Sequence, residues 1–272
     1  MPQSIQVPKL DFQKTTHEIT QFIRNIVNDA NAEGVVIGLS GGVDSSLVAA
    51  LCVKALSSSQ VHGLMLPARF TPSQDTEDAL NLGEQLGITT QQINIHGIND
   101  VVLQSLQSDP HSIVARANLL ARIRMTLLYY HANTLNYLVA GTGDRSEELI
   151  GYFTKYGDGG VDFLPISHLY KTQVRALARH LEIPPAITEK PSSPQLYPGH
   201  LATDEIPLEY AQLDPVLVGL IDLHLSANRI SAALHISEPI IQEIHRRYLR
   251  STHKRTYPPM LSPPAQFVAI QN

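Results

Sequence analysis

A chain of 272 residues with 43% hydrophobic and 17% charged residues has the apolar content for a full core, which excludes global disorder. Its formal net charge of −5 argues against a nucleic-acid binder, whose phosphate contacts need surplus Lys and Arg. The single cysteine, Cys52, excludes an intramolecular disulfide framework and a Cys-rich zinc site. It falls in the apolar run 47–56 and reads as a packing residue rather than a nucleophile. Residues 1–10 carry no secretory signal, and no apolar segment approaches the roughly 18–20 residues of a membrane span. A soluble, cytoplasmic protein with no membrane partner is expected.

Ile19, Phe22, Ile23, Ile26 and Val27 recur at helical spacing and predict an opening amphipathic helix, ended by Gly34. Val35-Val36-Ile37-Gly38-Leu39 is short, β-branched and apolar on both faces, which predicts a buried parallel strand. A helix over 47–56 follows. Residues 61–66 predict a second strand, Ser73 the cap of a helix reaching about residue 85, and residues 89–95 a third strand. A long helix over 112–131 leads into a fourth strand at 137–140. This alternation implies right-handed βαβ units and an α/β fold: a doubly wound, Rossmann-like parallel sheet flanked by helices. Ligands of such sheets bind at the carboxyl ends of the strands.

After Val161 the strand pattern fades. Residues 170–181 read as a helix closed by Pro184-Pro185, and Pro191, Pro194, Pro198 and Pro207 predict a surface loop between residues 189 and 207. Residues 213–225 and 237–251 are helical by pattern, and 258–272 read as a looser tail. Residues 1–272 are expected to form one domain with a helical C-terminal part.

The most informative local feature is the strand–Ser40-Gly41-Gly42-Val43-Asp44-Ser45-Ser46–helix arrangement. Its glycines let backbone N–H groups approach an anion, the helix N-terminus adds partial positive charge, and Ser40, Ser45 and Ser46 add hydroxyl donors. Asp44 would repel phosphate unless a hard cation such as Mg²⁺ bridges it to pyrophosphate oxygens. A plain Gly-Ser turn with a capping Asp would use the same residues. The heptad has no Walker A lysine. It resembles instead the pyrophosphate loop of the N-type ATP pyrophosphatases, which cleave ATP between the α and β phosphates.

Gly141-Thr142-Gly143-Asp144-Arg145-Ser146-Glu147 follows the fourth strand and so also belongs at the carboxyl edge of the sheet. There Glu147 can supply a second metal-binding carboxylate or, with Glu148, simply favour the first turn of a helix. The continuation, Gly151-Tyr152-Phe153-Thr154-Lys155-Tyr156-Gly157-Asp158-Gly159-Gly160-Val161-Asp162, makes a poor helix and a poor strand. Further strings follow in order: Leu169-Tyr170-Lys171-Thr172, Glu189-Lys190-Pro191-Ser192-Ser193, Asp204-Glu205-Ile206 and Thr252-His253-Lys254-Arg255. Together they resemble the NAD synthetase family signature, over about residues 15–257.

The resemblance implies that Gly38, Leu39, Ser40, Gly41, Gly42, Val43, Asp44 and Ser45 hold ATP, with Thr142, Lys171 and Ser193 as further ATP contacts. It implies Mg²⁺ on Asp44 and Glu147, and deamido-NAD on Arg122, Lys155, Asp162, His253 and Lys254. By pattern alone Arg122, on one helix with Arg116 and Arg124, reads equally as a solvated residue. So does the His253-Lys254-Arg255 cluster beside Arg246, Arg247 and Arg250. Residues 194–200 depart from the family pattern.

The implied reaction is ammonia-dependent amidation. The nicotinate carboxylate attacks the α phosphate of ATP, pyrophosphate leaves, and ammonia releases NAD and AMP from the NAD-adenylate. Asp44, Glu147 and Lys171 would act by positioning and charge neutralisation, with no protein nucleophile. About 33 residues precede the first strand, too few for the glutaminase domain that some members carry, so free ammonia or a separate ammonia source is expected. A homodimer with deamido-NAD near the interface is implied too. Two other readings stay open. Another ATP pyrophosphatase, such as a tRNA-modifying enzyme, would want a basic surface and usually catalytic cysteines. A non-catalytic nucleotide-binding module would not need both carboxylates.

Overall fold

The computed structural model describes residues 5–107, 109, 111–193, 195–197, 199 and 201–261. Helix α1 (Phe12–Asp29) begins where the Asp11 side chain accepts the Lys14 N–H at 3.0 Å. It buries Ile19, Ile23 and Val27 as the spacing requires, while Phe22 stays 42% exposed, edge-on to the Phe163 ring. Gly34 does not end this helix. Asn31 turns the chain with φ 50°, and Gly34 is instead the first residue of strand β1 (Gly34–Gly38), where a side chain would strike the Tyr137 ring.

The alternation then runs through α2 (Val43–Ala55), β2 (Val61–Met65), α3 (Ser73–Leu86), β3 (Thr89–Gln92), α4 (His96–Ser105), α5 (Ile113–Leu135) and β4 (Tyr137–Val139). Helix α2 starts four residues earlier than its apolar run, so Asp44 and Ser45 lie in its first turn. Pro72 rather than Ser73 precedes α3, and Ser73 makes no capping bond. Strand β3 stops at Gln92 because the chain turns into α4, a helix with no buried residue and hence no strong sequence signal.

All strand pairs are parallel, in the order β3-β2-β1-β4. Val35, Val36 and Ile37 of the central β1 are fully buried, which explains their continuous apolar run. Helices α1, α2 and α3 cover one face and α5 the other, with α4 packed on α5. Cys52 is buried in α2, and burial pushes its thiol pKa up to about 12, as befits a packing residue. From β1 the chain winds outward to β3, then crosses back to lay β4 on the other side of β1. The loops after β1 and β4 therefore part at a topological switch point and leave a crevice.

Beyond β4 the chain is helical: α6 (Arg145–Ile150), α7 (Lys171–His180), α8 (Pro185–Thr188), α9 (Tyr210–Leu217), α10 (Ala227–Leu234), α11 (Glu238–Arg250) and α12 (Thr252–Arg255). Helix α7 returns to the first face of the sheet. It is stopped by Glu182 at φ 60°, before the prolines, and Pro185 opens α8. The helix expected over 213–225 is shorter. Pro215 removes one rung of α9, which passes at Val218–Asp222 into a π-helical turn. Leu213, Val216, Leu217, Ile230, Ile241 and Ile244 form a second core among these helices. Residues 258–261 have no regular structure, and the rest of the expected loose tail, with Pro194, Pro198 and His200 of the expected loop, lies outside the described residues. No described helix is long and apolar enough to cross a membrane.

Candidate active site

The crevice at the switch point is a cleft of about 750 Å³, within the usual size of small-molecule sites. Its floor is the loop from β1 into α2. Gly41 holds φ 73°, and a Cβ there would lie 2.1 Å from the Asp75 carbonyl oxygen, so only glycine lets the loop press against α3. Inside the loop Ser45 and Ser46 donate their hydroxyls to the Gly42 carbonyl at 3.1 and 2.8 Å. Ser46 is 1% exposed and braces the turn instead of offering a donor to the cleft. The first N–H groups of α2 have no intrahelical acceptor and carry the positive end of the helix dipole.

The electrostatic centre lies at one side of this floor. The Lys171 ammonium is fully buried and lies 2.8 Å from each of three carboxylates: Asp44, Asp144 and Glu147. Burial alone would depress its pKa, but the three carboxylates outweigh that and hold it well above 10.5. On the other side of the balance, burial first and neighbouring carboxylates second raise Glu147 well above its ordinary value. Asp144 is raised, mainly by burial, to about 6. Three carboxylates around one ammonium leave an acidic excess beside the β1–α2 loop. Asp44 and Glu147 are 22% and 21% exposed and both line the cleft, whereas Asp144 is sealed beneath them. Two hard oxygen donors sharing one cation and short of positive charge suit Mg²⁺.

Sequence reasoning passed over the parts that hold this centre together. Asp144 accepts the Glu147 N–H at 2.9 Å, so it caps α6, places Glu147 and contacts Lys171 at once. Asp214, fully buried on α9, accepts from the Ser146 hydroxyl at 2.6 Å and from the Thr172 N–H and hydroxyl at 2.8 and 2.7 Å. Ser146 in turn accepts the Lys171 N–H at 3.0 Å. The start of α7 is thus pinned from the helical part of the chain. Lys190 bonds Asp75 and Asp78 at 2.6 Å each and reaches the Gly41 carbonyl at 3.2 Å, tying the loop to α3. Asp144 and Lys190 stood within recognised strings. No motif marked Asp214 or Tyr210.

Of the ATP positions expected from sequence, Gly38, Leu39, Ser40, Gly42, Val43, Asp44, Ser45, Thr142 and Ser193 line the one cleft, together with Glu147. Gly41 lies just behind it and Lys171 beneath. The positions expected for deamido-NAD are spread more widely. Lys254 lines the cleft and donates to the Gly151 and Phe153 carbonyls at 2.7 and 2.6 Å. Arg122, exposed on α5, donates to the Lys155 carbonyl, and Lys155 donates to the His253 carbonyl at 2.6 Å, making a chain of three outside the cleft. Asp162 accepts from Val139 N–H at 2.7 Å and from the Tyr129 hydroxyl at 3.0 Å, at the end of β4.

Known proteins resemble this chain over nearly its whole length. The model of the NAD synthase family matches residues 15–258. An NH(3)-dependent NAD(+) synthetase of Staphylothermus marinus is 45% identical over 256 residues, which span 94% of this chain and 93% of that protein. Among solved structures, an NMN synthetase from Francisella tularensis superposes with a TM-score of 0.81 at 33% identity, covering 94% of this chain and 99% of its own. An NH3-dependent NAD synthetase from Campylobacter jejuni, in complex with nitrate, gives 0.79 at 33% identity, with 93% and 100% covered.

Proposed function

The chain belongs to the NAD synthase family, and from that premise we propose that it amidates the nicotinate carboxylate of deamido-NAD with ammonia, driven by ATP, to form NAD. The observation that carries the reading is the meeting, in one cleft, of an anion-binding loop, a helix N-terminus and the Asp44–Glu147 pair. The loop and the α2 N-terminus bind the phosphates of ATP through backbone N–H groups. Asp44 and Glu147 would hold Mg²⁺, which would neutralise phosphate charge. Lys171 keeps both carboxylates in place. An ATP contact from its ammonium requires it to exchange one of its carboxylates for a phosphate oxygen.

The nicotinate carboxylate attacks the α phosphate, pyrophosphate leaves, and ammonia attacks the carbonyl of the resulting NAD-adenylate. The chain's own contribution is to hold two anions in register, so that their reaction becomes effectively unimolecular. Lys254 at the cleft, with Arg122, Lys155, Asp162 and His253 beyond it, binds the rest of deamido-NAD. Val101 of α4 and Tyr130 of α5 are exposed, as are Ile113 and Val114, which also line the cleft, and these apolar side chains favour a homodimer with deamido-NAD near its interface. A monomeric mass by light scattering at micromolar concentration refutes the dimer. A cytoplasmic setting is part of the same proposal.

The deciding experiment is product formation by purified protein with ATP and Mg²⁺, comparing ammonium with glutamine. NAD is expected from deamido-NAD with ammonium alone. The structural likeness to an NMN synthetase favours one second reading, in which the mononucleotide is the substrate. Nicotinate mononucleotide supplied in place of deamido-NAD separates the two, and turnover of neither refutes both.

A further inference from the structure

Tyr210, the first residue of α9, lines the cleft although it belongs to none of the recognised strings. It is 8% exposed, and its ring lies 5.1 Å from the Lys171 ammonium. Its hydroxyl oxygen is buried and has no hydrogen-bond partner among the described residues. Native proteins leave few buried hydroxyls unpaired, because each forfeits its bonds to water without replacement. This one has a specific setting. The Lys171 ammonium beneath the ring donates to Asp44 and Glu147 at 2.8 Å each and lies 2.8 Å from Asp144, and none of these carboxylates accepts from Tyr210. Burial first, then the charge of Glu147 and the other carboxylates, hold the phenol well above its ordinary pKa of 10, so it remains a proton donor. The residue is thus a protonated donor with no acceptor, at the edge of a cleft and beside the carboxylates that face it.

We propose that Tyr210 is a binding residue for the nucleotide, donating its hydroxyl hydrogen to an oxygen of the ATP–metal complex that enters beside Asp44 and Glu147. The proposal rests on the reading of this cleft as the ATP site. Its chemistry needs no change of protonation. The hydroxyl goes from unpaired to paired with an anionic or metal-held oxygen, a charge-assisted hydrogen bond that exists only in the complex. The aromatic ring has a separate task, packing over Lys171, and that task survives removal of the oxygen.

Tyr210→Phe divides the two. Wild type and variant are titrated calorimetrically with an ATP analogue carrying a methylene bridge between the α and β phosphorus atoms, once with Mg²⁺ and once with EDTA. Melting temperature without ligand is recorded in parallel. The variant is expected to bind the analogue with Mg²⁺ roughly tenfold more weakly, the usual loss for a hydrogen bond to a charged group, with a melting temperature equal to or above wild type. Weakening in both conditions identifies a phosphate oxygen as the acceptor. Weakening with Mg²⁺ alone identifies an oxygen held by the metal. Binding within twofold of wild type in both conditions overturns the proposal. So does weakened binding accompanied by a lowered melting temperature, because the hydroxyl would then be serving the free protein. If wild type itself fails to bind the analogue, the ATP reading of the cleft falls, and the role of Tyr210 with it.

Discussion

Replacing Lys171 with methionine tests the electrostatic account of the site most severely. The substitution keeps the apolar stem of the side chain and removes its ammonium from among three carboxylates, each 2.8 Å from it. Breaking a buried ion pair by deleting one partner costs about 3–5 kcal/mol, because the remaining charge is stranded. Here Asp44 and Glu147 retain 22% and 21% exposure and can draw on water, so the low end applies, about 3 kcal/mol. For a chain of this size that is a melting temperature about 6–12 °C below wild type at pH 8 without divalent metal.

The deficit should depend on pH and on Mg²⁺. Asp144 already has its pKa raised to about 6 beside the ammonium, and losing the ammonium raises it further. A carboxyl whose folded pKa is raised favours the fold while protonated and loses that contribution as pH rises through the folded value. The variant therefore recovers towards pH 5 and suffers most at pH 8. Millimolar Mg²⁺ restores part of the loss by returning positive charge to Asp44 and Glu147. Differential scanning fluorimetry over pH 5–8, with Mg²⁺ and with EDTA, measures all of this. A variant melting within about 2 °C of wild type at pH 8 in EDTA, with no dependence on either variable, refutes the account.

Three further outcomes are expected. Asp214→Ala strips the acceptor from Ser146 and from both Thr172 donors, and should cost about 3 kcal/mol in urea unfolding while lowering kcat by loosening the start of α7. An unchanged kcat shows that the α9 anchor does not position Lys171. Gly41→Ala forces a Cβ to within 2.1 Å of the Asp75 carbonyl oxygen at φ 73°, and should raise the KM for ATP about tenfold or more with a stability loss of about 1–3 kcal/mol. Wild-type kinetics would mean that the loop can shift freely. His62, whose buried Nε2 has no partner among the described residues and whose ring stacks on His131, has its pKa lowered by burial and then by His131. The fold favours neutral His62, so its contribution is present above pH 6.5 and is lost as pH falls below that value. His62→Phe should flatten the wild-type decline in melting temperature between pH 7 and 5, and an identical decline in the variant removes His62 as its cause.

What could be read along the chain was whatever its local chemistry encodes. The apolar β-branched run of β1, the two glycines after it and the helix behind them lie within some twenty residues, and periodicity and turn chemistry report such neighbours directly. The repetition of strand and helix likewise sufficed for a parallel sheet, as observed. Boundaries were less legible where a residue has two uses. Gly34 looks like a helix stop but is held at the start of β1 by the Tyr137 ring, which is distant in sequence.

The centre of the site belongs to the tertiary structure. Lys171 and Asp44 are 127 positions apart, and Ser146 and Asp214 are 68 apart, so no spacing rule connects them. A lysine opening a helix reads as a solvated side chain, and only packing shows that this one is sealed among three carboxylates. Tyr210 is an ordinary aromatic until α9 carries it to the cleft and leaves its hydroxyl without an acceptor among the described residues. Hydrophobic patterning acts over a few residues and so is written locally. Burial, desolvation and the balance of charge arise only when distant segments exclude water together, and that is where this protein's electrostatic centre was decided.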